Sequence, residues 1–385
     1  MLFIVCLGFL LSIAILFIHK FIKGKWAWLS TLIPLTSFLY FLSFIGDIAQ
    51  NDVVKVSYSW ISSYSVDLSF ILDGLSLLFV LMISGIGTLV FWYTSSYLKG
   101  HEYLDRFYAY LGIFMSAMLG LVLSDNLITM FIFWELTSIS SFFLIGFNNE
   151  SISSRKSAML ALGITGVGGL FLLAAAVILG QVTFTYTISE MLSMSNEIAM
   201  SSSYTFIVVM IFLAAFTKSA QFPFHFWLPG AMKAPTPVST YLHSATMVKA
   251  GIYLILRFSP ILGETSLWNT TLITIGAITM LYSAIQMLFR TDLKAILAYS
   301  TICALGILTF LTGLGSYEAL VAAMVFIVVH ALYKASLFLI TGIIDHETGT
   351  RDITKLSGLK QGLMPIAVAG FVAALISGGV IPTLG

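Results

Sequence analysis

The sequence predicts an all-α polytopic membrane protein with about twelve transmembrane helices, and three observations predict it. Hydrophobic residues make up 59% of the chain and charged residues 9%, and the mean hydropathy is +1.01, outside the range of a soluble domain. Apolar runs repeatedly exceed the roughly 18–20 residues that cross hydrocarbon. The loops between the runs alternate between basic and almost free of basic residues, as the positive-inside rule requires. The net charge of +1 says nothing about nucleic acid, but no basic run suited to phosphates occurs, and no nucleic-acid partner is expected.

The first run, Leu2–Ile18, has no basic residue before it, and its charges, Lys20, Lys23 and Lys25, follow it. That is the reverse of a cleavable signal peptide and predicts a first transmembrane helix. Length and apolarity then predict spans at 27–46, 72–93, 108–123, 127–146, 157–180, 204–222, 237–258, 268–289, 293–312, 318–344 and 363–381. Residues 53–70, VVKVSYSWISSYSVDLSF, are β-branched and aromatic with partial alternation, which predicts a short extramembrane β-hairpin. The Ser-rich stretch 183–202, with Glu190 and Glu197, reads as an extramembrane loop or surface helix. Asp125 is expected to cap the helix that follows it, and Asp73 another. Gly163, Gly166, Gly168 and Gly169 would let helices approach closely.

Loop charge orients the chain. The loops at 19–26, 94–107, 147–156, 223–236, 290–294 and 345–362 carry Lys20, Lys23, Lys25, Lys99, Arg106, Arg155, Lys156, Lys233, Arg290, Lys294, Arg351, Lys355 and Lys360. The opposite loops carry Lys55 and Arg257. The first set is therefore expected in the cytoplasm, with the N-terminus outside a multi-pass protein of the cell membrane.

The stretch 212–251, FLAAFTKSAQFPFHFWLPGAMKAPTPVSTYLHSATMVKAG, organises the rest. Pro223, Pro229, Pro235 and Pro237 each remove an N–H donor and crowd the preceding turn, so an unbroken helix cannot pass through it. A broken helix at membrane depth is tolerated where protein or a water-filled cavity satisfies the freed backbone groups. Inside the predicted spans sit ionisable residues that are costly in hydrocarbon and default to ion or proton paths. Glu135, in mid-span, would bind a proton or need a cationic partner; the structural alternative is an ion pair locking two helices. Lys218 is the natural partner, against the alternative that it only caps the broken helix. His243 and Lys249, six residues apart on one expected helix, point to neighbouring sectors, and His243 alone could be a satisfied polar group between helices. His330 and Lys334 are four apart and share a helical face, a second station of the same path. Cys6 and Cys303 lie far apart in apolar helices, and no Walker motif, Rossmann glycines or paired Cys/His ligands occur. No metal or cofactor is expected.

The runs LSDNLITMFIFWELTS, FTKSAQFPFHFWLPGAM with APTPVSTYLHSATMVKAG, and LKAILAYSTI resemble the antiporter-like membrane subunits shared by respiratory complex I and the Mrp cation/proton antiporters. GIIDHETGTRDI, after HALYKASLF, looks like the large A subunit of the Mrp type. The resemblance covers nearly the whole chain. It implies that Glu135 and Lys218 form a central charge pair, with His243, Lys249, His330 and Lys334 on a buried hydrophilic axis. It also implies two inverted five-helix repeats with broken helices: 1–107 as N-terminal helices with the hairpin, 108–258 as the first repeat with its break at 204–236, and 259–385 as the second. The second break is expected at Gly378–Pro382. Phe326 stands where the family often has a histidine, and the family continues past GGVIPTLG. The resemblance therefore implies either a piece of a longer subunit or a truncated relative, with the exit half of the second channel outside residues 1–385 in both cases. The function implied is that of a non-enzymatic subunit of a proton-motive-force-driven Na⁺/H⁺ antiporter, among other membrane subunits in a lipid bilayer. The alternative is a proton-pumping subunit of a respiratory NADH dehydrogenase or membrane hydrogenase complex. A third reading is a scaffold whose charges only hold helices together.

Overall fold

The computed structural model describes residues 1–22, 26–61, 66–263, 265–381 and 383; Lys23, Lys25 and Pro382 lie outside them. Helix α1 (Leu2–Ile22) is followed by a 3₁₀ turn (Ala27–Thr31), α2 (Leu32–Leu42) and α3 (Ile45–Ala49). Strands β1 (Val54–Ile61) and β2 (Val66–Leu72) precede α4 (Gly74–Tyr97), α5 (Leu104–Leu123), α6 (Leu127–Ile145) and α7 (Ile152–Thr183). Short helices α8 (Ile188–Met191) and α9 (Ser195–Met200) lead to α10 (Tyr204–Lys218), α11 (Trp227–Ala231), α12 (Thr236–Ser244) and α13 (Met247–Leu262). The chain continues through α14 (Ser266–Leu288), α15 (Leu293–Gly313), α16 (Tyr317–Thr348), α17 (Leu359–Gly362) and α18 (Met364–Ser377). Among the described residues nine helical stretches are long and apolar enough to cross a membrane, and Leu2–Ile15, Tyr204–Lys218 and Met364–Ser377 are shorter apolar helices.

Several expected spans change shape for identifiable reasons. The run from residue 72 starts at Gly74, because Leu72 belongs to β2 and Asp73 forms a capping box with Ser76. The runs at 157–180 and 318–344 extend to 32 residues each, ending where Phe184 and Gly349 take left-handed backbone conformations. The run 27–46 is split into a 3₁₀ turn and two helices. The largest correction is at 237–258: helix α12 stops at Ser244 and α13 begins at Met247, with Thr246 at φ −126° and ψ −108°. His243 and Lys249 therefore lie on different helices.

The two ends of the bundle are built differently. At the hairpin end, β1 and β2 pair antiparallel from Val54↔Leu72 to Ile61↔Val66. The hairpin is stitched to the α5–α6 connection by Asp125 N–H to Ser69 O (2.9 Å), and that connection to the start of α8 by Ile188 N–H to Asp125 O (2.7 Å). Asn126, not Asp125, caps α6, accepting from the N–H groups of Ile128 and Thr129. Asp125 instead accepts from the N–H and hydroxyl of Ser189, 2.9 and 2.7 Å away. At the other end, the segment after α16 clasps the start of α15. Leu293 N–H donates to Arg351 O, Ile353 N–H to Thr291 O, and the Arg351 guanidinium lies 3.2 Å from Asp292. Tyr97 packs on His346 and lies 3.3 Å from the Thr236 hydroxyl, so the loops after α4, before α12 and after α16 share this clasp end.

Candidate functional site: a buried line of ionisable side chains

Helix α10 ends at Lys218 because the chain turns at Ser219 and Ala220, the latter at φ +49°, ahead of Pro223. The carbonyls and N–H groups freed by the break are taken up locally. Trp227, on α11, donates its indole N–H to Thr217 O at 2.9 Å. Gln221 N–H reaches Phe216 O at 2.9 Å, and Phe222 N–H reaches the Thr279 hydroxyl at 3.0 Å. Backbone that would be ruinous in lipid is thereby satisfied within protein. Pro229 lies inside the short α11 and Pro237 in the first turn of α12, so the interruptions fall at 219–223 and 232–235.

Lys218 is fully buried. Its Nζ donates to Trp134 O (3.1 Å) and Ser138 Oγ (2.7 Å) of α6 and lies 5.1 Å from the centre of the Trp134 ring. Among the described residues no salt bridge within 4.0 Å joins it to Glu135. Glu135 points toward α7, where a Cβ on Gly169 would overlap its Oε1. A Cβ on the adjacent Gly168 would overlap the Thr217 hydroxyl. The glycines of α7 thus do more than bring helices close: they make room for the carboxylate and for the residue beside Lys218.

Lys249 follows on α13. A Cβ on Gly251 would overlap Ala215 O, and Ser219 Oγ donates to Val248 O at 2.6 Å, so α13 meets the end of α10 in close contact. Lys249 is fully buried and donates to Ile327 O of α16 at 2.9 Å. About one and two turns further along α16 are His330 and Lys334, both buried on one face, with Lys334 Nζ on Ser300 Oγ of α15. His243, on α12, packs its ring on Phe338 at 5.7 Å. The helices that carry the two stations expected from sequence are therefore packed in series, α6–α10–α13–α16. Among the described residues, Glu135 Oε1 and both ring nitrogens of His243 and of His330 along this line have no protein hydrogen-bond partner.

Two charged groups outside this set were missed. Lys294, counted with a loop, occupies the first turn of α15 at 2% exposure and donates to Ala234 O (3.0 Å) at the second interruption. Its position at a span end hid it. Arg257, counted as an outer-loop charge, pairs with Asp73 through both guanidinium arms, Nη2 to Oδ1 at 3.0 Å, and its Nε donates to Tyr253 Oη at 3.0 Å. Burial works to raise the Asp73 carboxyl, but Arg257 and Ser76 together outweigh it and leave it below the ordinary 3.8. Asp125, at the same end, is pushed up by burial against the hydrogen bonds of Ser189.

Residues 124–385 match the family model described as NADH:quinone oxidoreductase/Mrp antiporter, TM, and residues 59–108 match NADH-Ubiquinone oxidoreductase (complex I), chain 5 N-terminus. The Na(+)/H(+) antiporter subunit A1 of Staphylococcus aureus is 43% identical over 393 residues, covering 98% of this chain and 49% of that protein. The chain thus spans about half the length of the curated relatives it matches. The structure of the Mrp complex from Dietzia sp. DQ12-45-1b superposes with a TM-score of 0.89 at 37% identity, over 100% of this chain and 42% of that one. The membrane-bound sulfane sulfur reductase, an archaeal respiratory membrane complex, is alike in fold: TM-score 0.84 at 20% identity, over 98% of this chain and 77% of that one. With a broken-helix lysine, a mid-span glutamate and a family model covering most of its length, this multi-pass membrane chain belongs to the NADH:quinone oxidoreductase/Mrp antiporter transmembrane family.

Proposed function

We propose that the chain is the proton-conducting part of a subunit of a monovalent cation/proton antiporter, assembled with other membrane subunits and driven by the proton motive force. The observation that carries this reading is the set Glu135, Lys218, Lys249, His330 and Lys334 on helices packed one against the next, its basic members buried and its lysines held by hydroxyls and carbonyls. A buried ammonium that donates to a hydroxyl and a carbonyl can give up one proton and keep most of those hydrogen bonds. Buried polar atoms without protein partners, as on His243 and His330, are ordinarily satisfied by internal water, which also carries protons. In the proposed cycle the proton passes along these groups as Glu135 approaches and leaves Lys218. Each charge moved gains about 2.3 kcal/mol per 100 mV.

A cleft of about 670 Å³ at the hairpin end, lined by Asp73, Arg257, Leu320 and Met324, lies one turn of α16 from the carbonyl that holds Lys249. It supplies an approach to the axis from that side. The basic residues of the clasp end support placing that end in the cytoplasm of a cell membrane, with the N-terminus outside. The division into repeats at 108–258 and 259–385 fits the break after Lys218. Sequence identity to an antiporter subunit favours cation exchange over the redox-linked pumping that the family name also covers.

The test is dye-monitored proton flux in everted vesicles carrying the full complex, with Na⁺ added after a proton gradient is set. Na⁺-dependent collapse that disappears in Glu135→Ala supports the proposal. Proton uptake that follows an electron donor and ignores every cation would replace it with the respiratory reading.

A further inference from the structure

At the clasp end, a cleft of about 400 Å³ opens between the start of α5, the end of α6 and the start of α7. Its rim carries Arg106 and Arg155, and its wall runs down the helices as Tyr110, Phe142, Phe143 and Met159. Both arginines sit in first helical turns, where the helix dipole opposes a cation, so helix stability does not explain them. Arg106 stacks over the Tyr103 ring at 4.7 Å, which occupies the guanidinium face and leaves its edge for an anion. Arg155 is anchored through Nη1 to Asn149 O, which fixes the second guanidinium at the same mouth. The neighbouring carboxylates Glu102, Asp105 and Glu150 are not among the side chains that line the cleft. The wall below is stacked and apolar, with Tyr110 against Phe143 at 5.1 Å, and Phe143 and Met159 are 43% and 60% exposed.

We propose that this cleft binds an anionic phospholipid, its phosphate on Arg106 and Arg155 and one acyl chain along Phe142, Phe143 and Met159. Two guanidiniums over an apolar wall at the end of a helical bundle match a molecule that is anionic at one end and hydrocarbon at the other. A soluble phosphate would use the rim and leave the wall without a role.

The experiment uses the full complex in nanodiscs containing a photoactivatable phosphatidylglycerol. In the wild type, label is expected on peptides from 103–110 and 142–159, displaced by unlabelled phosphatidylglycerol and not by the same concentration of inorganic phosphate. In the double variant R106Q/R155Q the half-saturating lipid concentration should rise about thirtyfold, each arginine at an anionic surface being worth somewhat over fivefold. R106K/R155K, which keeps the charge, should lose much less. If the glutamine variant does not assemble, the wild-type label positions and the lysine variant decide the matter. Label elsewhere on the chain, equal labelling in R106Q/R155Q, displacement by inorganic phosphate, or cross-links from this cleft to a partner subunit would each overturn the proposal.

Discussion

The Lys218 site and the Asp73–Arg257 site are both charged groups at the end of a helix, and they are solved in opposite ways. Arg257 meets its carboxylate through both arms of the guanidinium, with Tyr253 and Ser76 completing the shell. Lys218 meets a hydroxyl and a carbonyl, while Glu135 beside it is turned toward the glycines of α7. A charge locked to a counter-charge is fixed in its protonation state, because removing either partner strands the other. A charge held by neutral groups can lose its proton and keep most of its hydrogen bonds. The first arrangement suits a joint, the second a relay.

The contrast breaks most sharply at Lys218. Lys218→Ala in the assembled complex should lower exchange on the order of a hundredfold or more, the scale of a removed proton-transfer group; flux near the wild-type level would reduce Lys218 to a structural residue. Gly169→Ala should come next. Its methyl displaces the Glu135 carboxylate, with an overpacking cost of about 1–3 kcal/mol, and exchange measured on correctly assembled complex should fall more than in Gly163→Ala, where a Cβ meets open space.

At the joint the expected effect is on stability and its pH dependence. Asp73→Asn should destabilise by about 1–3 kcal/mol, read as a lower melting temperature of the purified complex. The Asp73 carboxyl titrates below 3.8 in the folded protein, so its stabilisation is present above that value and is lost as pH falls through the folded pKa. The melting difference between wild type and Asp73→Asn should therefore be constant from pH 7 to about 5 and shrink in more acid buffer. Asp125, raised by burial, works with the opposite sign: its contribution is fullest below 3.8 and lost as pH rises through its folded pKa. Smallest of all, Asn126→Ala should cost about 1 kcal/mol as a lost helix cap, with exchange unchanged.

How much of this could be read beforehand depended on contrast. Lys218, Lys249 and Lys334 stand out because each interrupts a long apolar run, and the prolines after Lys218 announce the break on their own chemistry. Lys294 is just as buried but begins its helix beside Arg290 and Asp292, so local sequence makes it look like loop. The break at Thr246 carries no proline or glycine within SATM; it exists because α12 packs on α16 while α13 packs on α10, a tertiary demand that no local signal encodes. Asp125 and Asn126 are adjacent and chemically equivalent as caps, and only the docking of Ser189 decides which one caps and which one ties the loop. The spacing of the α7 glycines shows a small-residue face but not what faces it.

The position of Trp134 has a consequence for measurement. Its ring lies 5.1 Å from the Lys218 ammonium, and the fully buried Trp227 indole is bonded to the carbonyl of the residue before that lysine. Indole transitions shift with the local electric field, so gain or loss of the ammonium charge should be written into the ultraviolet spectrum of these two side chains. With the chain's other tryptophans replaced by phenylalanine, proton occupancy at the break becomes visible as a colour change from native residues alone, in a working membrane and without any attached dye.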